Sequence, residues 1–343
     1  MSTADTAPAS DAPLLVSVIV PLRNEETTVR WLLDSLERQQ TSFPWEVIFV
    51  DGGSTDHTCE VITQHPLARR IPVRILHSPP DRLGMNHARN DGAKAARGSI
   101  LLFTQADIHI EDPHALETTV RCFEDPEVVA TTFTGLGAGR AFADYDFWGQ
   151  VFMARYQRLR CFHDLDTKFN AVRRSVFERV GGFDEQRFPF GGEDFDFRVR
   201  LAHEGRIADT GIEVEHLHGY GRRHRPWAML RKYARNAECM GATVPVYLRN
   251  LDHEPGYLRD FMLRNLLALA AIGSLHPATW PWTLLVVGAC SVAWSWPIYR
   301  EVRSWKLIWI PGFAFLAMYV FALYYLRGWI LGRTCVRLRT TSG

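Results

Sequence analysis

No CxxC pair occurs in the 343 residues, and the six cysteines, at positions 59, 122, 161, 239, 290 and 335, are scattered. That spacing argues against a zinc site and a disulfide frame, and for reduced thiols in a reducing compartment. Net charge is also nearly absent. The formal value is +1, which gives no global preference for nucleic acid or for acidic partners. An apolar stretch of signal-peptide type is missing from residues 1–13, which are rich in Ala, Ser, Thr, Asp and Pro. They read as a disordered leader. A GxxxxGK[ST] phosphate loop is lacking too, because no lysine follows the turn at Gly52-Gly53-Ser54. No Ser/His/Asp or Cys/His arrangement supplies a covalent nucleophile, and no internal repeat is visible.

What is present changes character near Asp252-His253-Glu254-Pro255-Gly256. Charged and apolar residues mix before that point; apolar and aromatic residues dominate after it, and tryptophan becomes frequent. The expected organisation is a catalytic domain over 14–250, a membrane region over 257–332 and a basic tail over 333–343. Strands are expected at 14–21, 46–50, 73–77 and 99–103. Helices fall between them, through Val29, Leu32, Leu33 and Leu36, then over 57–64 and 86–96. Such alternation implies a parallel sheet with right-handed crossovers. Ligands of such sheets sit beyond the carboxyl ends of the strands, where Pro21, Asp51 and Asp107 fall.

Several polar groups admit two readings each. Glu193 and Asp194 follow Phe190-Gly191-Gly192 and open an amphipathic run with Phe197 and Leu201 on one face. They either cap a helix through its dipole or are brought against a substrate by the glycine hinge. Asp51 either closes an Asx-type turn or accepts hydrogen bonds from a base or ribose. Asp107, with His109, Glu111 and Asp112 beyond it, belongs to a solvated acidic loop or to the seat of a divalent cation, Mg²⁺ or Mn²⁺. The alternation of Ile108 and Ile110 points His109 outward. His216 and His218 share one face at strand spacing, suited to completing a metal shell or touching phosphate. The cluster Arg222-Arg223-His224-Arg225 is a solvated basic loop, or it serves a diphosphate leaving group or a lipid phosphate.

The strongest elements are Val18-Ile19-Val20-Pro21-Leu22-Arg23-Asn24-Glu25 and Val50-Asp51-Gly52-Gly53-Ser54-Thr55-Asp56. Asn86-His87-Ala88-Arg89-Asn90 follows, then Gly181-Gly182-Phe183-Asp184-Glu185 and Gly192-Glu193-Asp194. In order and spacing they resemble the family 2 glycosyltransferases over residues 15–235. The resemblance implies an α/β, Rossmann-like GT-A nucleotide-sugar transferase domain followed by an α-helical membrane region. It implies that Asp51 meets the nucleobase or ribose, that Pro21, Asn24 and Glu25 shape the nucleotide pocket, and that Arg89 approaches the nucleotide side of the donor. It makes Asp107 the last acid of an Asp-x-Asp metal motif, with His216 or His218 near the same ion, and Asp194 the general base with Glu193 beside it. Gln105 departs from the pattern: it stands where the first acid of that motif usually does, and it can accept a hydrogen bond but brings no charge. The Gln-x-x-Arg-Trp motif of processive members is reduced to Arg225-Pro226-Trp227, which favours single addition.

The implied activity is inverting transfer of one sugar from a nucleotide-sugar donor to a lipid-linked or cell-envelope glycan acceptor, aided by a divalent cation. Two rival readings are a silent nucleotide-sugar-binding membrane partner and a nucleotidyltransferase. The second should carry a basic glycine-rich loop after the first strand, where this chain has Leu22-Arg23-Asn24-Glu25.

Residues 277–298 and 307–326 are uncharged and long enough for a bilayer core. Trp280, Trp282, Trp294 and Trp296 lie towards the ends of the first run, as in an interfacial belt. The shorter stretch from Phe261 to Leu275 carries Arg264 and is expected in the interface. Two crossings return Arg327, Arg333, Arg337 and Arg339 to the side of the catalytic domain, the cytoplasm by the positive-inside rule, and leave 299–306 across the bilayer. A third crossing would put that tail outside. The expected location is therefore the cell membrane, multi-pass, with the catalytic domain cytoplasmic.

Overall fold

A computed structural model describes residues 15–82, 84–154, 157, 159, 160, 165–188, 191–250 and 258–332. The leader, Phe190, the compositional boundary at 252–256 and the basic tail lie outside the described residues. The chain divides into two units. One comprises Met1–Ala141, Tyr156–Glu185 and Glu193–Gly221; the other comprises Phe142–Arg155, Gln186–Gly192 and Arg222–Gly343.

In the first unit, β1 (Val16–Leu22) and β2 (Trp45–Asp51) are buried at every position, as continuous apolar, β-branched runs require of central parallel strands. Between them α1 (Val29–Glu37) buries Val29, Leu32, Leu33 and Leu36, one stripe at helical spacing. The chain continues through α2 (Thr58–Gln64), α3 (Leu67–Arg70), β3 (Val73–His77), α4 (Met85–Ala95) and β4 (Ile100–Thr104). These elements match the expected strands and helices to within two residues or so at their ends. Next come β5 (Ile108–Ile110), α5 (Ala115–Arg121), β6 (Val128–Thr132) and β7 (Gly135–Gly137), while α6 (Phe147–Met153) belongs to the second unit. Then follow β8 (Leu159–Arg160), β9 (Phe169–Arg173), α7 (Arg174–Arg179), α8 (Glu193–Ala202), β10 (Arg206–Asp209) and β11 (Glu213–His216).

The main sheet has seven strands in the order β10-β6-β9-β4-β1-β2-β3, and a smaller sheet has the order β5-β11-β7-β8. The main sheet is not wholly parallel as alternation suggested: β9 runs antiparallel to both β4 and β6. Val18 and Val20 feed one core and Ile19 the other, the two faces of a doubly covered sheet. Leu22 pairs with Asp51, so the loops leaving β1 and β2 emerge side by side.

The second unit is helical, with α9 (Pro226–Ala242), α10 (Val244–Leu248), α11 (Leu258–Gly273), α12 (Trp280–Glu301) and α13 (Ile310–Leu331). With their leading 3₁₀ turns, Pro277–Glu301 and Trp305–Leu331 are long and apolar enough to cross a membrane. α9 packs along α13. Two glycines permit it: a Cβ on Gly241 would lie 1.9 Å from the Tyr325 carbonyl oxygen, and one on Gly328 would lie 2.0 Å from that of Glu238. Further along, Tyr233 meets Trp294 edge-on at 5.4 Å, and Trp294 reaches Phe313 at 6.0 Å. This packing is why α9 and α10 group with the C-terminal helices, so the compositional boundary near residue 252 does not coincide with the structural division at Arg222.

Candidate functional site

Most of the residues singled out in the sequence lie in the first unit, around loops that leave the carboxyl ends of its strands. Pro21 is buried inside β1. Asn24 adopts a left-handed backbone, φ 55°, which asparagine tolerates better than most residues. Its side-chain oxygen accepts from the Thr55 N–H at 2.8 Å, and its own N–H donates to Ser54 Oγ at 2.9 Å. Glu25 accepts from Thr28 Oγ1 at 2.8 Å, and its N–H donates to Thr58 Oγ1 at 2.9 Å. The two loops are thus cross-braced.

Asp51 closes the turn that follows β2. Its carboxylate accepts from the Ser54 N–H at 3.0 Å and Ser54 Oγ at 2.6 Å, with His77 Nδ1 at 3.2 Å. The Asx-type turn read for Asp51 is therefore present. Gln105 is partly exposed just past β4.

Asp107 is buried, and its partners stand at the end of β11 and just beyond it. His216 Nε2 lies 3.1 Å and His218 Nδ1 3.4 Å from Asp107 Oδ2. The Leu217 N–H donates to the Asp107 carbonyl at 2.7 Å, which pins the two segments together. Burial raises the Asp107 carboxyl, but the two histidines overcome it and hold the group well below the usual carboxylate range. One ligand atom from each of the three residues lies within 4.8 Å of the others. The buried Nδ1 of His216 has no hydrogen-bond partner among the described residues, and burial without a partner is costly. One carboxylate and two imidazoles that converge, one of them carrying an orphaned nitrogen, fit a transition-type divalent cation.

His109 does not point into solvent as strand alternation suggested. It is buried beneath α1, with its ring edge-on to Trp31 at 5.4 Å. Its two nitrogens face Arg38 at 3.1 Å and Glu215 at 2.9 Å. Glu111 pairs with Arg140 at 2.9 Å, and Asp112 accepts from the His114 N–H at 2.8 Å. The residues beyond Asp107 are therefore engaged elsewhere.

The acids at the start of α8 have separate fates. Gly191 and Gly192 take positive φ values of 139° and 90°, which glycine alone adopts freely, and the chain enters the helix at Glu193. Glu193 turns inward and meets Arg89 Nη1 at 2.7 Å. Arg89 is only 1 % exposed. It also donates to Asn86 Oδ1 at 3.0 Å and Thr167 Oγ1 at 2.5 Å, and its guanidinium lies 5.2 Å from the centre of the Phe183 ring. An enclosed guanidinium with these partners does not face a donor, so Arg89 is an internal counter-ion for Glu193 rather than the nucleotide contact that the resemblance implied.

Asp194 remains half-buried, with one carboxylate oxygen on the Phe195 N–H at 2.9 Å. Burial, then the neighbouring charges of Glu193 and Asp166, push its carboxyl up to about 7, against the opposing pull of Lys168. Asp166, Thr167 and Lys168 gave no sequence signal, because they are isolated polar residues on an irregular segment. The structure marks them. Thr167 carries a positive φ of 58°, unusual for a β-branched residue, and it joins Arg89 to the backbone of Asp166. Arg222 and Arg225 are exposed and belong to the helical unit.

The sequence profile described as "Glycosyl transferase family 2" matches residues 17–181. One described as "N-terminal domain of galactosyltransferase" matches residues 169–222. The chain is similar to "O-antigen biosynthesis protein RfbC" of Myxococcus xanthus, with 30% identity over 249 residues that cover 62% of this chain and 19% of that protein. It is also similar to "Uncharacterized glycosyltransferase EpsJ" of Bacillus subtilis (strain 168), with 36% identity over 216 residues that cover 58% of this chain and 60% of the relative. The chain therefore spans less than two thirds of the length of either relative. Among solved structures it resembles a mannosyltransferase from Pyrobaculum calidifontis in complex with GDP-Man and Mn²⁺. The TM-score is 0.54 at 19% identity, over 95% of this chain and 90% of that one. At that identity the likeness establishes a shared fold.

Proposed function

We propose that the protein, whose residues 17–181 match the family 2 glycosyltransferase profile, is a membrane-associated inverting glycosyltransferase that moves one sugar from a nucleotide-sugar donor to a lipid-linked or cell-envelope glycan acceptor. The observation that carries this reading is Asp194: a half-buried carboxyl, raised to about 7, on a helix that begins at a glycine hinge. A group of that basicity is suited to accept a proton near neutral pH.

Inversion needs a single in-line displacement. The acceptor hydroxyl oxygen bonds to the anomeric carbon, and its proton passes to the Asp194 carboxylate. The bond from that carbon to the diphosphate oxygen breaks, and its electron pair leaves with the nucleoside diphosphate. Pro21, Asn24, Glu25, Asp51 and Gln105 border the nucleotide, chiefly through the braced loops that they build. Asp107, His216 and His218 would hold a divalent cation, which supplies positive charge to a diphosphate when bound. Two imidazoles in the set favour Mn²⁺ over Mg²⁺. Screening nucleotide sugars for divalent-dependent thermal stabilisation, followed by hydrolysis assays, tests the reading. Asp107→Ala should abolish the divalent-dependent part of that stabilisation. Equal stabilisation with chelator present would remove the metal from the scheme.

The helical unit supports a seat at a membrane, with the catalytic domain in the cytoplasm where nucleotide sugars are made. The simple hairpin would leave 299–306 across the bilayer, and a different seat is proposed for that turn. Lys306 lines a cavity with Arg223 and Arg225, and Arg223 follows the first unit by only two residues of chain. Moreover, α9 carries Arg231, Lys232 and Arg235 alongside α13. Drawing such a helix into hydrocarbon costs about 2.5–3.5 kcal/mol per cation. We therefore expect the turn between α12 and α13 at the cytoplasmic face of the membrane, on the same side as Arg223 and Arg225. A cysteine placed at Ser304 should resist impermeant thiol reagents applied to intact cells and react after lysis. Labelling of intact cells would restore the hairpin.

A further inference from the structure

The helical unit contains a cavity of ≈ 400 Å³ lined by Asp146, Phe147, Trp148, Arg223, His224, Arg225, Pro226 and Lys306. Its volume falls within the range of small-molecule sites, and its lining is unusual in charge. Arg223, Arg225 and Lys306 face it, and none of the three has a carboxylate partner among the described residues. Asp146 is the one acid in the lining. Its carboxylate is committed, accepting from the Gly149 N–H at 2.7 Å and the His224 N–H at 2.7 Å, with His224 Nδ1 at 3.2 Å. These bonds fix the backbone on which Arg223 and Arg225 stand. Arg225 is also the N-cap residue of α9, whose first turn no side chain caps, so the partial positive charge of that helix end adds to the cations.

What surrounds Lys306 identifies the source of the anion. Lys306 sits in the turn Trp305–Trp309, where Trp305 is 77% exposed, Ile308 74% and Trp309 64%. A lysine between large exposed aromatic and aliphatic side chains is the pattern of a segment at headgroup depth, with apolar bodies in the lipid and the ammonium at the surface. A soluble anion would need no such rim. Three cations offset by one engaged carboxylate match a group near −2 better than a carboxylate or a phosphodiester. The forked guanidinium groups suit several oxygens on one centre.

We propose that this cavity binds the terminal phosphate of a membrane lipid, as a phosphomonoester or diphosphate. The assignment rests on the membrane-seated reading above, and it narrows the acceptor class to lipids that end in phosphate. Arg223 and Lys306 enter as ligands in addition to Arg225; among these positions, only Lys306 comes from the apolar C-terminal run.

The test uses detergent-solubilised full-length protein and fluorescent phosphatidic acid, with no nucleotide sugar present. Failure here therefore leaves the transferase reading intact, and loss of turnover elsewhere leaves this one intact. Wild type should bind phosphatidic acid roughly 10-fold more tightly than phosphatidylglycerol. Arg223→Gln with Arg225→Gln, and separately Lys306→Gln, should bring the two lipids to the same weak affinity. Arg231→Gln, an exposed cation of α9 outside the cavity, should change nothing. Equal affinity of wild type for both lipids overturns the proposal, as does an Arg231→Gln effect as large as that of the cavity variants. Inorganic phosphate that displaces the lipid at comparable concentration assigns the cavity to a soluble anion and overturns the lipid source.

Discussion

Glu193→Gln should lower the melting temperature by roughly 10 °C. The side chain keeps its shape, but Arg89, 1 % exposed, then carries a buried charge with no counter-ion. Breaking one partner of a buried pair typically costs about 3–5 kcal/mol, far more than the intact pair contributes over an apolar replacement. The remaining bonds to Asn86 and Thr167 satisfy donors but bring no negative charge. The companion Arg89→Met should restore much of the loss when combined with Glu193→Gln, since the pair is then removed together. Thermal unfolding of the two single variants and the double variant measures this coupling. Melting of Glu193→Gln within a degree or two of wild type would show that the pair is not what holds α8 in place. Because Glu193 also helps to raise Asp194, the variant should shift the acid limb of the pH–rate profile to lower pH.

Asp194→Asn should cut turnover by roughly 10²-fold or more and leave donor affinity nearly unchanged. In wild type the rate should rise with pH through about 7 as the carboxylate forms. The same shift has a consequence for stability. Between about pH 4 and 7 the folded state keeps a proton that the unfolded chain has lost, so stability falls as pH rises across that window. Asp194→Asn should flatten this slope and be the more stable protein at pH 8. Normal turnover in this variant would take Asp194 out of the chemistry. An unchanged stability slope would instead show that its carboxyl is not raised.

Much of this was legible in the residues. Apolar runs rich in β-branched residues suit strands covered on both faces, and β1, β2 and β4 lie where such runs stand. Asp107 with His216 and His218 was legible as a likeness of residue types, although the sequence could not show that β5 and β11 pair and bring 107 beside 216. The reversed direction of β9 was not legible, because a buried strand has the same pattern in either direction. Arg89 and His109 misled for one reason. Sequence ranks arginine and histidine as surface or site residues, whereas each here is sealed by partners distant in the chain: Glu193 for the first, Glu215 and Trp31 for the second. The C-terminal helices were recognised by hydropathy, but the helix that accompanies them was not. α9 carries too much charge to look like their neighbour, and only Gly241 and Gly328 hint at a close approach.

Those two glycines also decide how the protein can be cut. With the backbones of α9 and α13 in contact through them, a soluble fragment ending near residue 250 would keep α9 but strip away its cover. It would bare Tyr233, Ala237 and the wholly enclosed Glu238, whose carboxylate has Arg327 at 3.8 Å. Ending the fragment before Arg222 spares that face but discards the helix that begins at Pro226. No boundary yields both an intact α9 and a chain free of apolar helices. Only the whole chain keeps α9 covered, and a trimmed domain would purify a different object.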